Sequence, residues 1–162
     1  MALPLTVPPK YGHKSFLYMP VQTDLDALRA DIAFLGIPHG DPYAIEDVNN
    51  EQSRAPYAVR QASDRAVRSL ERYDFDIGGP LYMGKDIRAF DCGDVPGNMH
   101  DFAEHARRAE AAVRKILAAG ALPLIIGGDH AIPIPVLRAY DGLGPITLVQ
   151  IDAHIDWRDD FN

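Results

Sequence analysis

The chain holds one cysteine, Cys92, in 162 residues, so no internal disulfide can form and stability must come from a packed core. No apolar run approaches the length of a membrane span. The first nine residues have neither the basic start nor the apolar stretch of a secretory signal. A cytoplasmic location with no membrane partner is therefore expected. Clusters of Lys and Arg are absent too, and 16 basic residues face 23 acidic ones for a net charge of −7. That balance argues against nucleic acid as a partner and is weakly permissive for a small cationic substrate. There is no internal repeat and no low-complexity tract. What is present, 47% hydrophobic residues, suffices for one core in one domain.

Residues 1–23 are rich in Pro, Tyr and Lys without a clear period, and an irregular arm reaching to residue 30 is expected, packed on a neighbouring subunit. Asp31 to Ile37 reads as a first strand, closed by Gly36, Pro38 and Gly40. Residues 39–54 are polar and turn-rich, as is usual for a binding loop at a strand's carboxyl end. From Pro56, Val59, Ala62, Ala66, Val67 and Leu70 keep helical spacing, with Ser53 as a cap. Ile87 to Cys92 reads as a strand running into a turn at 93–97. Over 101–119 the helix signal is strongest: Asp101 and Glu104 resemble a capping box, Phe102, Ala106, Ala109, Val113, Ile116 and Leu117 form one stripe, and Gly120 ends it. Strands alternating with helices imply a doubly wound α/β sheet.

The chemistry-bearing residues lie in the last third. Leu122 to Ile126 is continuously apolar, as in a strand buried in a parallel sheet, and runs into Gly127-Gly128-Asp129-His130. A crossover helix is expected over 133–140, stopped by Gly142 and Gly144. The next apolar run, 146–150, is expected to be a strand that leads into Ile151-Asp152-Ala153-His154-Ile155-Asp156. On an extended backbone side chains two apart point the same way, so Asp152, His154 and Asp156 can converge. Two carboxylates and an imidazole gathered at a buried strand end are costly unless a cation lies between them. Parallel strands joined by a helix bring both carboxyl ends to one sheet edge, where His130 is expected to meet that trio.

Other polar residues have plainer readings. Asp129 is read as a carboxylate that supports a ligand from behind or caps the backbone. Asp91 and Asp94 are read as turn caps and Cys92 as a small core residue. His39, His100 and His105 are treated as surface or loop histidines, and Trp157 either shapes a pocket wall or packs in the core. The chain stops six residues after Asp156. A parallel sheet ending at its ligand-bearing strand leaves an apolar edge uncovered, so residues 1–162 are expected to be the N-terminal part of one larger domain.

Gly-Gly-Asp-His at 127–130 and Asp-Ala-His-Ile-Asp at 152–156, in that order and one helix-strand unit apart, resemble the first two metal motifs of the ureohydrolases, the arginase and agmatinase family. Phe34-Leu35-Gly36-Ile37-Pro38, Arg54-Ala55-Pro56 with Val59-Arg60, and Asp91-Cys92-Gly93-Asp94 extend the resemblance over 31–162, and Ile132 to Arg138 looks most like the agmatinase branch. The resemblance implies a three-layer α/β/α sandwich with a mostly parallel sheet. It implies two Mn²⁺ ions and a bridging hydroxide that attacks a guanidinium carbon and releases urea. His130, Asp152 and Asp156 would hold one ion, and His154 with Asp152 the other. The family forms trimers or hexamers, so a homo-oligomer is implied. Position 131 is Ala where the family usually has Ser, and Arg158 stands where arginases proper carry Asn, which favours a different guanidino substrate. Agmatine is the leading expectation, with putrescine and urea as products. A guanidino acid such as guanidinobutyrate, its carboxylate paired with Arg158, is the alternative. A non-catalytic metal-binding or oligomerisation module is the alternative of another class.

Overall fold

The computed structural model describes residues 4–9, 14–40, 51–97 and 101–154. Strands β1 (Ile32–Gly36), β2 (Ala89–Asp94) and β3 (Leu122–Ile126) form a parallel sheet in the order β2-β1-β3. The central strand is the most buried of the three, and Ala33, Phe34 and Leu35 expose no surface, as a strand covered on both faces requires. On one face, Ala33, Leu35 and Ile37 pack with Ala109, Val113 and Ile116 of α2 (Phe102–Ala118) and with Ile132 and Ala139, which flank α3 (Pro133–Arg138). On the other, Phe34 packs with Met19, Ala89, Phe16 and Ile126, and the Phe16 ring stacks on it at 4.4 Å. Helix α1 (Ala55–Val67) covers this second face through Arg60, whose guanidinium carbon lies 4.8 Å from the Phe34 ring centre. Helices on both faces of a parallel sheet give the α/β/α layering expected from the alternating pattern. Among the described residues no helix is long and apolar enough to cross a membrane.

Helix α2 forms as its sequence predicts. The Asp101 carboxylate accepts from Glu104 N at 3.0 Å, and Gly120, at φ +75°, ends the last turn. The capping box is half formed, because the Glu104 carboxylate turns instead to Arg107 and Arg108. Helix α1 corrects two expectations. Ser53 is not its cap; Arg54 takes that place without a side-chain bond, after a 3-10 turn at Glu51–Arg54, and Pro56 opens the helix. Its buried face is Pro56, Arg60 and Ser63, while Ala62 and Ala66 are exposed. The apolar spacing misled because the sheet offers this helix two carboxylates. Arg60 Nε and Nη2 donate to the two oxygens of Asp91 at 2.8 and 2.9 Å, Nη1 to Asp94 at 2.7 Å and Nη2 to Gly93 O at 3.0 Å.

Strand β2 starts two residues later than its apolar run suggests and carries a bulge, with Phe34 opposite Asp91 but Gly36 opposite Asp94. Gly93 permits the bulge at φ +76°; a Cβ there would lie 2.1 Å from Val7 O. Asp91 Oδ1 accepts from Gly93 N at 2.9 Å, the turn-capping role expected of it. The described parts of the arm pair with the chain's own sheet edge, Val7 bridging to Asp94 and Val21 to Asp91.

The last third departs furthest from the sequence reading. Helix α3 ends at Arg138, and the run 146–150 is not a strand. Ile146, Leu148, Val149 and Ile151 are exposed, as are Leu122 and Leu124 of β3, which was expected to be buried on both faces. Both flanks of β1 are taken by β2 and β3, and among the described residues no strand pairs with the outer flank of β3. An apolar run can become a buried strand only where a ladder and a covering layer receive it.

Candidate metal centre

The carboxyl ends of the three strands are stitched into one rim. Ile37 N donates to Ile126 O and Val95 N to Gly36 O, both at 2.9 Å. The turn after β3 then approaches the backbone after β1 so closely that a Cβ on Gly128 would lie 1.5 Å from His39 O. Only glycine fits there. Asp129 N donates to that same carbonyl at 3.0 Å, while Asp129 Oδ1 accepts from Ala131 N at 3.0 Å. This is the backbone-capping role expected of Asp129, and it leaves His130 projecting from the turn with 55% of its side chain exposed.

Asp152 lies across from His130. His130 Nε2 is 3.9 Å from Asp152 Oδ2, and His154 Nδ1 is 3.6 Å from Asp152 Oδ1, so one imidazole stands beside each carboxylate oxygen. Strand alternation does not bring Asp152 and His154 together. The chain bends at 153–154, where His154 N donates to Asp152 Oδ1 at 2.9 Å. That bond, reinforced by nearby His130 and opposed by partial burial, holds the Asp152 carboxyl below the usual carboxylate range. Asp156, Trp157 and Arg158 lie outside the described residues.

Among the described residues, no three acidic, histidine or cysteine side chains gather on one point. The arrangement is instead two nitrogen-oxygen pairs sharing one carboxylate. Each pair spans less than twice the roughly 2.0–2.2 Å length of a metal-ligand bond, so each can close on a cation. The donors are oxygen and imidazole nitrogen, which suit manganese. The chain's one thiol, Cys92, is buried in the core as expected, and burial pushes it up to about 12, with the Asp91 charge adding to the effect.

Two of the three histidines read as surface groups are buried instead, and His100 lies outside the described residues. His39 packs against Phe102 with ring centres 4.5 Å apart and against His105 at 5.6 Å. His39 follows the carboxyl end of β1 as His130 follows that of β3, and His105 falls on the same helical face as Phe102 and Ala109; both signals were available in the sequence. His105 Nε2 has no hydrogen-bond partner among the described residues. Burial, with the charges of His39 and Arg108, pushes His105 from its ordinary 6.5 down to about 4. The unfolded chain therefore binds this proton more readily than the folded one. Stability from this group is complete above about pH 6.5 and is lost as pH falls through the window toward 4, at up to about 1.4 kcal/mol per pH unit. Urea unfolding at pH 7, 5.5 and 4.5 should show a steeper loss for the unmodified chain than for His105→Gln; parallel curves would contradict it.

Known proteins resemble this chain over most of its length. The model of the arginase family matches residues 30–162. A mitochondrial agmatinase of Gallus gallus is 33% identical over 149 residues, 91% of this chain and 41% of that protein. A mitochondrial guanidino acid hydrolase of Homo sapiens is 32% identical over 149 residues, 91% of this chain and 39% of that protein. The chain thus spans about two fifths of the length of these relatives. The crystal structure of a hypothetical agmatinase from Burkholderia thailandensis superposes with a TM-score of 0.64 at 24% identity, over 86% of this chain and 43% of that one, and shares the fold. With the family model covering everything from the start of β1 to Asn162, this chain belongs to the arginase family.

Proposed function

We propose that this chain forms the N-terminal part of a manganese-dependent ureohydrolase domain that cleaves a guanidino compound to an amine and urea. Agmatine is the preferred substrate in this reading, with putrescine as the amine. The observation that carries it is the Asp152 carboxylate lying between two imidazoles at the rim of a parallel sheet, in a member of the arginase family. His130, Asp152 and Asp156 would hold one ion and His154 with Asp152 the other. Two Mn²⁺ ions held there would supply Lewis acidity and would lower the pKa of water, as a resonance-stabilised, weakly electrophilic carbon requires of its nucleophile near neutral pH.

The chain's own residues supply the frame. Asp152 stays ionised at neutral pH, held by the His154 backbone N–H. Asp129 caps the turn behind His130. The excess of acidic residues favours the approach of a cationic substrate. A guanidino acid is the second reading, and the name of the human relative, a guanidino acid hydrolase, keeps it in view. Arg158, which would pair with the acid's carboxylate, lies outside the described residues. Assembly into trimers or hexamers of a cytoplasmic protein completes the proposal.

The test is Mn²⁺ titration of the purified chain, followed by the electron spin resonance of free Mn²⁺, beside a urea assay. Saturable but weak binding is expected, with no urea from agmatine or guanidinobutyrate, because one ion would retain only Asp152 and His154 as protein ligands. Absence of any saturable binding would remove the metal reading. Stoichiometric urea release would show that the chain suffices alone.

A further inference from the structure

We propose that His39 is a positioning residue of this site: its carbonyl and imidazole together hold Asp129, and through Asp129 the turn that aims His130 at Asp152. The inference rests on the metal reading for its consequence, but its geometry stands independently.

His39 is tied to the turn twice. Its carbonyl accepts from Asp129 N at 3.0 Å across the gap that Gly128 keeps open. Its Nε2 lies 3.8 Å from Asp129 Oδ2, too long for a hydrogen bond but within reach of one after a small shift. Asp129 Oδ1 is meanwhile engaged by Ala131 N, so the carboxylate is held between the loop after β1 and the turn that carries His130. The imidazole packs against Phe102 and His105 of α2. Packing alone does not call for an imidazole here. A buried imidazole is costly unless it has a polar partner. Asp129 is the carboxylate it faces, and the residue after Asp129 is the proposed ligand. The contact does not touch the His130 ring; it acts through the backbone of the turn that carries it.

The test uses His39→Phe, which keeps the ring volume and removes the Nε2–H group, and His39→Gln, which restores an N–H donor. Amide exchange at Ala131 reports directly on whether Asp129 is held. His39→Phe is expected to accelerate it about tenfold or more while amides of β1 and α2 exchange as before, and to weaken Mn²⁺ binding by about 10- to 100-fold. His39→Gln should recover most of both. Unchanged Ala131 exchange in His39→Phe would overturn the proposal. So would a loss of Mn²⁺ binding matched by equal acceleration at every amide, which marks general destabilisation. Should the unmodified chain bind no Mn²⁺, the metal reading fails on its own, and exchange at Ala131 still decides whether His39 holds Asp129.

Discussion

Replacing Arg60 with alanine is expected to destabilise the folded chain by about 3–5 kcal/mol, a drop of roughly two to four orders of magnitude in the folding equilibrium. The guanidinium is buried, with one face against Phe34, and its donors reach both oxygens of Asp91, one oxygen of Asp94 and the Gly93 carbonyl. Alanine would leave Asp91 buried without its cation and open a cavity where α1 meets the sheet. Lysine is no substitute, because one compact ammonium cannot form the paired bonds to Asp91 and also reach Asp94. Replacing the charges together, Arg60→Met with Asp91→Asn, should cost less than Arg60→Ala, because the fully buried Asp91 charge is removed with its partner and only Asp94, 15% exposed, still loses Arg60. Urea midpoints measured with unchanged slopes check both statements. A loss under about 1 kcal/mol for Arg60→Ala would mean that water reaches this pair and that its burial contributes little.

Asp152→Asn is expected to weaken Mn²⁺ binding more than any other single replacement at the rim, by about 100-fold or more, on the order of 3 kcal/mol. Each of its oxygens faces a different imidazole, so one change removes the shared charge from both pairs, whereas His130→Ala or His154→Ala disturbs one pair each. The amide retains the carboxylate's shape, one acceptor oxygen and the capability to cap His154 N, so the chain should keep its fold and melting temperature. The comparison is made with the spin-resonance titration at constant pH. If Asp152→Asn bound Mn²⁺ within about threefold of the unmodified chain, the carboxylate could not be a shared ligand, since that change is worth under 1 kcal/mol.

Legibility in the sequence followed the range of the interactions involved. Helix α2 was readable because Asp101, its apolar stripe and Gly120 act within a turn or two of themselves. The parallel order of the strands followed from alternation of elements, and the types of the rim residues followed from their motifs. The burial of Arg60 was not legible, because it depends on a carboxylate distant in the chain, Asp91, which no local window contains. The approach of Asp152 and His154 was anticipated by the wrong route. Period-two alternation requires a strand, and a single carboxylate-to-amide bond bends the backbone there instead. Exposure of Leu122, Leu124 and the 146–151 run was equally out of reach, because whether an apolar segment is buried is decided by the layer laid against it.

The central place of β1 has a consequence for how the molecule is made. Synthesis delivers β1 first, yet its two neighbours arrive only with Ala89 and then Leu122. Until the ribosome has released Ile126, the segment Ala33-Phe34-Leu35 has no completed ladder to join. The most deeply buried of the three described strands thus waits for its surroundings, a period in which a chaperone or a wrong neighbour can reach it first.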